Sequence, residues 1–137
     1  NLKEALNALE NLKIKIEKID LGEPLSAASI AAKTLWKTHQ KPVFITLGEK
    51  GIAGVSKGTF FHFPGYHTQG PIDIVGAGDS VLAGIGLTLC AGGTVQEAAY
   101  IGNLVGSITI QQIGTTGKAT QHDLRQRHKE YQRQRKG

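Results

Sequence analysis

The chain has 137 residues, of which 39% are apolar and 20% charged, with a formal charge of +5. That is the composition of one globular domain around one core, and it excludes a disordered or collagen-like chain. The longest apolar runs, near residues 81–91 and 101–110, are too short and too interrupted by Gly, Ser or Asn to span a bilayer, so no membrane partner is expected.

Cys90 is the single cysteine, so no internal disulfide can form. With no secretory signal at the start, this composition leads to the expectation of a cytoplasmic location. The chain starts at Asn1 and contains no Met, from which a processed or partial chain is expected.

In chain order, Leu2, Ala5, Leu6, Leu9 and Leu12 fall at helical spacing, with Asn1 as N-cap and Glu4 in the capping-box position. Residues 13–19 alternate in part like a strand. Glu23-Pro24 breaks the pattern, and Ser26 opens a predicted helix through Ala27, Ala31, Leu35 and Trp36 to about His39. Residues 43–47 read as a short buried strand following a helix. Residues 51–55 and 59–63 form a predicted hairpin about Ser56-Lys57-Gly58, and a loop covers 64–71.

Residues 72–75 run into Gly76-Ala77-Gly78-Asp79 and an apolar helix to Ala91, stopped by Gly92-Gly93. Thr94 and Glu97 form a second capping box, opening a buried helix to about Gln111. A turn at 114–117 precedes a last helix capped by Thr120. Helices placed after strands predict an α/β fold in layers about a partly parallel sheet. Residues 121–137 hold six basic and two acidic residues, so this tail carries four of the five net charges. Only Tyr131 interrupts the basic run; it is read as a solvated helix or tail, and nucleic acid is not expected as a partner.

The chemistry concentrates at Gly76-Ala77-Gly78-Asp79. Small residues let backbone amides approach an anion, and a helix N-terminus adds partial positive charge. A carboxylate directly after such a loop would repel a phosphate it merely held. It makes sense as a general base facing a substrate hydroxyl, with the amides stabilising the phosphoryl group under attack. The alternative is an ordinary glycine-rich helix start with a first-turn acid. The loop lacks the Lys-Ser/Thr of a Walker A motif and the third glycine of a dinucleotide fingerprint. His39, His62, His67, His122 and His128 show no metal-ligand spacing, and Cys90 lies inside an apolar helical pattern.

Asp73-Ile74-Val75-Gly76-Ala77-Gly78-Asp79-Ser80 resembles the C-terminal signature of the ribokinase-like (PfkB) carbohydrate kinases, usually D-T-x-G-A-G-D. Thr46-Leu47-Gly48-Glu49-Lys50-Gly51 looks like the family's nucleotide-binding T-L-G-x-x-G, and Asn1-Leu2-Lys3-Glu4 like its N-x-x-E. Asn103 stands where the family often has an Asn beside the adenine. The segment at Asp73, Gly92-Gly93 and Gly114-Thr115-Thr116 look most like the heptose-phosphate kinase branch.

The resemblance implies the C-terminal part of a three-layer αβα fold with a largely parallel sheet. Residues 1–120 would form the nucleotide- and phosphate-binding part, without the N-terminal half that carries the sugar groups and lid, and residues 121–137 a basic helix or tail. It implies Asp79 as catalytic base and Gly76, Ala77 and Gly78 as the anion hole. Thr46, Gly48 and Gly51 would lie against ATP and Asn103 beside its base. Asn1 and Glu4 would help hold Mg²⁺ through water, although a plain capping box needs no metal.

Asp73 and the backbone near Thr109, Gln112 and Gly114 match a monovalent-cation (potassium) site of some relatives, where the Lys118 ammonium could take the ion's place. Ile74 departs from the signature by losing a hydroxyl. The implied substrate is a small-molecule sugar or sugar phosphate, and the implied assembly a homodimer. The reading from another class is a non-catalytic nucleotide-binding regulatory module.

Overall fold

The structure is a computed structural model that describes residues 1–14, 20 and 22–136. They form two compact units, Asn1–Pro64 and Gly65–Gly137.

In the first unit, helix α1 (Leu2–Asn11) starts with the predicted capping box. Asn1 Oδ1 accepts from the Glu4 amide at 3.1 Å, and the Glu4 carboxylate accepts from the Asn1 nitrogen. Helix α2 (Pro24–His39) begins two residues before Ser26, because Pro24 sits in the first turn, where its missing N–H costs nothing. It ends at Gln40 in the left-handed conformation. Ala27, Ala28, Ala31 and Ala32 are fully buried, and this small-residue stripe brings α2 close to its neighbours. Ala5 and Leu9 of α1 pack with Ala28, Ala31 and Ala32 on Ile45, Ala53 and Val55 of the sheet. Of the strand-like reading over 13–19, residues 15–19 lie outside the described residues.

Strands β1 (Val43–Thr46), β2 (Ile52–Ser56) and β3 (Thr59–Phe63) lie in that order, with Ile45 opposite Ala53 and Gly54 opposite Phe61. Both pairings are antiparallel, so the expected parallel pairing has no counterpart among the described strands. The connections decide this: a parallel pair needs a crossover of a dozen or more residues, and these strands are joined by short turns. The hairpin is as predicted. Lys57 (φ 49°) and Gly58 (φ 79°) form its two-residue loop, both left-handed as the sheet twist favours. Gly54 is required at the centre of β2, since a Cβ there would lie 2.1 Å from the Val43 carbonyl oxygen and 2.6 Å from the Phe61 ring. The Phe44 and Phe61 rings meet edge-on across it at 6.2 Å.

The second unit contains helices α3 (Ala77–Cys90), α4 (Val95–Thr109) and α5 (Gln121–Gln134). Thr94 with Glu97 forms the expected capping box, and Thr120, expected as a cap, forms a further one with Asp123. Helices α3 and α4 pack through glycine: a Cβ on Gly84, Gly102 or Gly106 would come within 2.8–3.0 Å of Val105, Ile85 or Val81. Helix α5, in the segment read from sequence as solvated, is tied to α4. Tyr131 is buried with its ring 5.5 Å from that of Tyr100. Arg127 donates to the Ser107 carbonyl and hydroxyl, both at 2.8 Å, to Gln111 and to Glu130, and lies 4.2 Å over the Tyr66 ring.

Candidate active site at the start of the third helix

Asp73 sets the approach to α3. Its Oδ1 accepts from the Val75 amide at 3.0 Å, its Oδ2 from the Gly114 amide at 3.1 Å, and its own amide donates to the Ile110 carbonyl at 2.7 Å. The Val75 amide, and next the Gly114 amide, hold this carboxyl below the usual carboxylate range. The turn continues with Ala77 donating to the Ile74 carbonyl and Ser80 to that of Gly76. Gly76 caps α3 at φ 76°, a conformation that favours glycine, and offers no side chain to the helix amides. Among the described residues, the amides of Gly76, Gly78 and Asp79 have no acceptor and the Asp79 carboxylate has no partner, whereas the Ala77 amide is taken by the Ile74 carbonyl. A Cβ at Gly76 or Gly78 would meet nothing within 4 Å, so the space before these amides is open. The chain thus presents three unsatisfied amides, the positive end of a helix dipole and an exposed carboxylate at one place.

An open groove of about 630 Å³ runs from this point. Asp79, Ser80, Thr88, Thr109 and Thr116 supply its polar lining, and Leu87 and Val105 are part of its apolar wall. Sequence reading missed Thr116, Gly117, Ala119 and Leu124 as neighbours of Asp79. They arrive through the turn after α4, which Gln112 clamps by donating to the Lys118 carbonyl at 2.6 Å and accepting from its amide at 2.9 Å. The Gly114-Thr115-Thr116 pattern was the available signal. Asn103 is buried in α4, whereas it is Ile101 and Val105 of that helix that line the groove.

Thr46, Gly48 and Gly51 belong to the first unit. Thr46 ends β1, Gly48 (φ 59°) opens a single tight turn over Gly48–Lys50, and Gly51 (φ 87°) leads into β2. The turn closes with Leu47 donating to the Gly51 carbonyl at 2.8 Å, and His62 Nε2 lies 2.7 Å from the Lys50 carbonyl oxygen. Asn1 and Glu4 lie in the same unit, engaged in the capping box. Among the described residues no three His, Cys, Asp or Glu gather as a metal site. No described helix is long and apolar enough to cross a membrane.

The sequence model of the pfkB family of carbohydrate kinases matches residues 4–122. The chain is 33% identical over 103 residues to the bifunctional protein HldE of Nitrosococcus oceani, covering 69% of this chain and 21% of that protein. It is 42% identical over 76 residues to inositol 3-kinase of Arabidopsis thaliana, covering 56% of this chain and 21% of the relative. The ribokinase structure from Thermotoga maritima superposes with a TM-score of 0.74 at 23% identity, over 93% of this chain and 40% of that one. The chain therefore spans about a fifth of the length of these curated relatives.

Proposed function

From the premise that this chain belongs to the pfkB family of carbohydrate kinases and has a ribokinase-like fold, we propose that it is the nucleotide- and phosphate-binding part of a kinase. That kinase moves the γ-phosphate of ATP to a hydroxyl of a sugar or sugar phosphate. One observation carries the role of Asp79. Among the described residues four helices have an acid at their third position: Glu4, Asp79, Glu97 and Asp123. Three of those acids close capping boxes, and Asp79 alone does not. Its carboxylate is left for something outside the fold, beside three amides that have no acceptor among the described residues.

In this reading the amides of Gly76, Gly78 and Asp79 stabilise charge on the transferred phosphoryl group, and Asp79 accepts the proton of the attacking hydroxyl. The Ala77 amide of the expected anion hole is instead bound to the Ile74 carbonyl. Asp73 holds the loop through Val75 and Gly114, which leaves a monovalent cation only the remaining lone pairs of its carboxylate. Thr46, Gly48 and Gly51 form a nucleotide-facing turn, and Asn103 acts from inside α4. The donor set around Asn1 and Glu4 fits Mg²⁺ only through water, because both residues already serve the helix cap. When bound with ATP, the metal would supply charge neutralisation of the phosphates. Helix α3 also exposes Leu82 and Leu87, and Ile74 and Val75 are exposed just before it. We read these side chains as the face that the rest of the kinase fold covers.

The test is Asp79→Asn in a polypeptide carrying the whole kinase fold, assayed with MgATP and a panel of sugars and sugar phosphates. ATP affinity should stay within a factor of about two, while phosphoryl transfer falls about 10²–10⁴-fold, the usual contribution of a general base. Retained turnover removes Asp79 from that role. ATP binding by the unaltered protein without transfer to any acceptor favours the regulatory module.

A further inference from the structure

A second recess, of about 340 Å³, opens between α4 and α5. Its apolar floor is Ile101, Leu104 and Leu124, and its rim is Tyr100, Arg125, His128 and Lys129. Only Ile101 and Leu124 also line the Asp79 groove, so the two cavities lie on either side of that contact.

Two permanent cations and an imidazole stand on this rim, and no carboxylate lines it. The acids of α5 are committed elsewhere. Asp123 accepts from Thr120, and Glu130 accepts from Arg127, Gln126 and Tyr66. Among the described residues Arg125 and Lys129 therefore have no ion-pair partner. Tyr100 OH lies 2.7 Å from His128 Nδ1, which fixes the imidazole against α4 and makes Nε2 the ring nitrogen left to a ligand. An apolar floor alone would accept any oily group. A cation pair one helical turn apart with no balancing acid selects for negative charge.

We propose that this recess is a ligand site for a small planar anion, an aromatic ring bearing a carboxylate, sulfonate or phosphate. The ring lies on Ile101, Leu104 and Leu124 beside Tyr100, and the anionic group sits between Arg125 and Lys129. The volume falls at the small end of ordinary small-molecule sites. The guanidinium adds a flat, weakly hydrated surface suited to both the ring and the anion.

Naphthoate is the probe, titrated into the full-length protein and followed by amide NMR, with naphthalenemethanol as the neutral control. Saturable shifts are expected at Ile101, Leu104, Leu124, Arg125 and His128, with the neutral control binding at least about tenfold more weakly. Arg125→Glu with Lys129→Glu should weaken naphthoate by about tenfold or more. Arg133→Glu, on the same helix but outside the recess, should change it by less than about twofold, the near-neutral effect of a remote surface charge.

All three substituted positions are exposed, so amide dispersion should match the parent. Equal binding of the neutral control, unchanged affinity in the double variant, or an equal loss with Arg133→Glu overturns the proposal. So do shifts confined to Leu82 and Leu87. A short oligoglutamate peptide that occupies the same residues more tightly than naphthoate overturns it in favour of an acidic protein segment.

Discussion

The packing of α3 on α4 makes a quantitative prediction, because the glycines of these helices meet different surroundings. A Cβ on Gly102 would sit 2.8 Å from Ile85 Cγ1 and 3.3 Å from Val81 Cγ1, and one on Gly106 2.8 Å from Val81 Cγ2. Carbon pairs prefer about 3.5–4.0 Å. Val81 is thus pressed on both methyls at once and cannot turn away from one without meeting the other. Each overpacked methyl costs about 1–3 kcal/mol, and each Gly-to-Ala change returns about 0.8–1.0 kcal/mol of helix propensity. Gly102→Ala with Gly106→Ala should therefore lose about 2 kcal/mol. Gly86, in the middle of α3, has nothing within 4 Å of its added Cβ, so Gly86→Ala should gain up to about 1 kcal/mol. Urea unfolding followed by circular dichroism at matched slopes measures both. A double variant as stable as Gly86→Ala would refute the close-packing argument.

Asp73 gives a pH signature. A carboxyl held below its unfolded pKa adds stability that is full above the unfolded value and is lost as pH falls through the folded one. Asn can accept only one of the two amides, so the melting-temperature gap between the parent and Asp73→Asn should be widest near neutrality and close below about pH 4. A gap that does not change with pH would place the effect outside the carboxylate. Arg127→Met should destabilise by about 1–3 kcal/mol by leaving Ser107, Gln111 and Glu130 without their shared donor, measured by the same urea titration. Arg127→Lys should not restore it, because one ammonium cannot serve three acceptors set around a planar fork. Lys57→Asn should raise the melting temperature by a gain of about 0.5–1 kcal/mol, since Asn tolerates a φ of 49° better than Lys.

The elements legible in the sequence are those fixed by near neighbours. The three capping boxes need only residues three apart, and the Lys57-Gly58 hairpin only its own two-residue loop. The antiparallel sheet was also written in its short turns, but the helix-then-strand order around β1 outweighed them and suggested parallel pairing. The groove beside Asp79 was not legible, because Thr116 and Leu124 reach it only after α4 and α5 have packed. Nor was the burial of Tyr131 and Arg127. Composition marks residues 121–137 as basic and solvated, and a single aromatic and one Arg fork, meeting partners twenty or more residues away, dock the helix. Asn103 shows the same limit: its place in α4 was readable, and the face it turns inward was not.

These differences bear on why α3 begins as it does. Three helix starts in this chain close with a hydroxyl or amide at the cap and an acid three residues on, a device worth about 1 kcal/mol each. At α3 the acid is present and the capping side chain is not. Gly76 stands there at φ 76°, where an ordinary cap residue would be strained and would not direct its side chain at the third amide. Restoring the cap therefore requires changing the backbone that turns the chain from Asp73 into the helix. The same backbone leaves the amides of Gly76, Gly78 and Asp79 open and the Asp79 carboxylate unused. Helix α2 also starts without a side-chain cap, but it has no acid in its first turn. Helix α3 holds the acid and withholds the cap, which on the proposed reading leaves an incoming phosphate and hydroxyl to supply the missing partners.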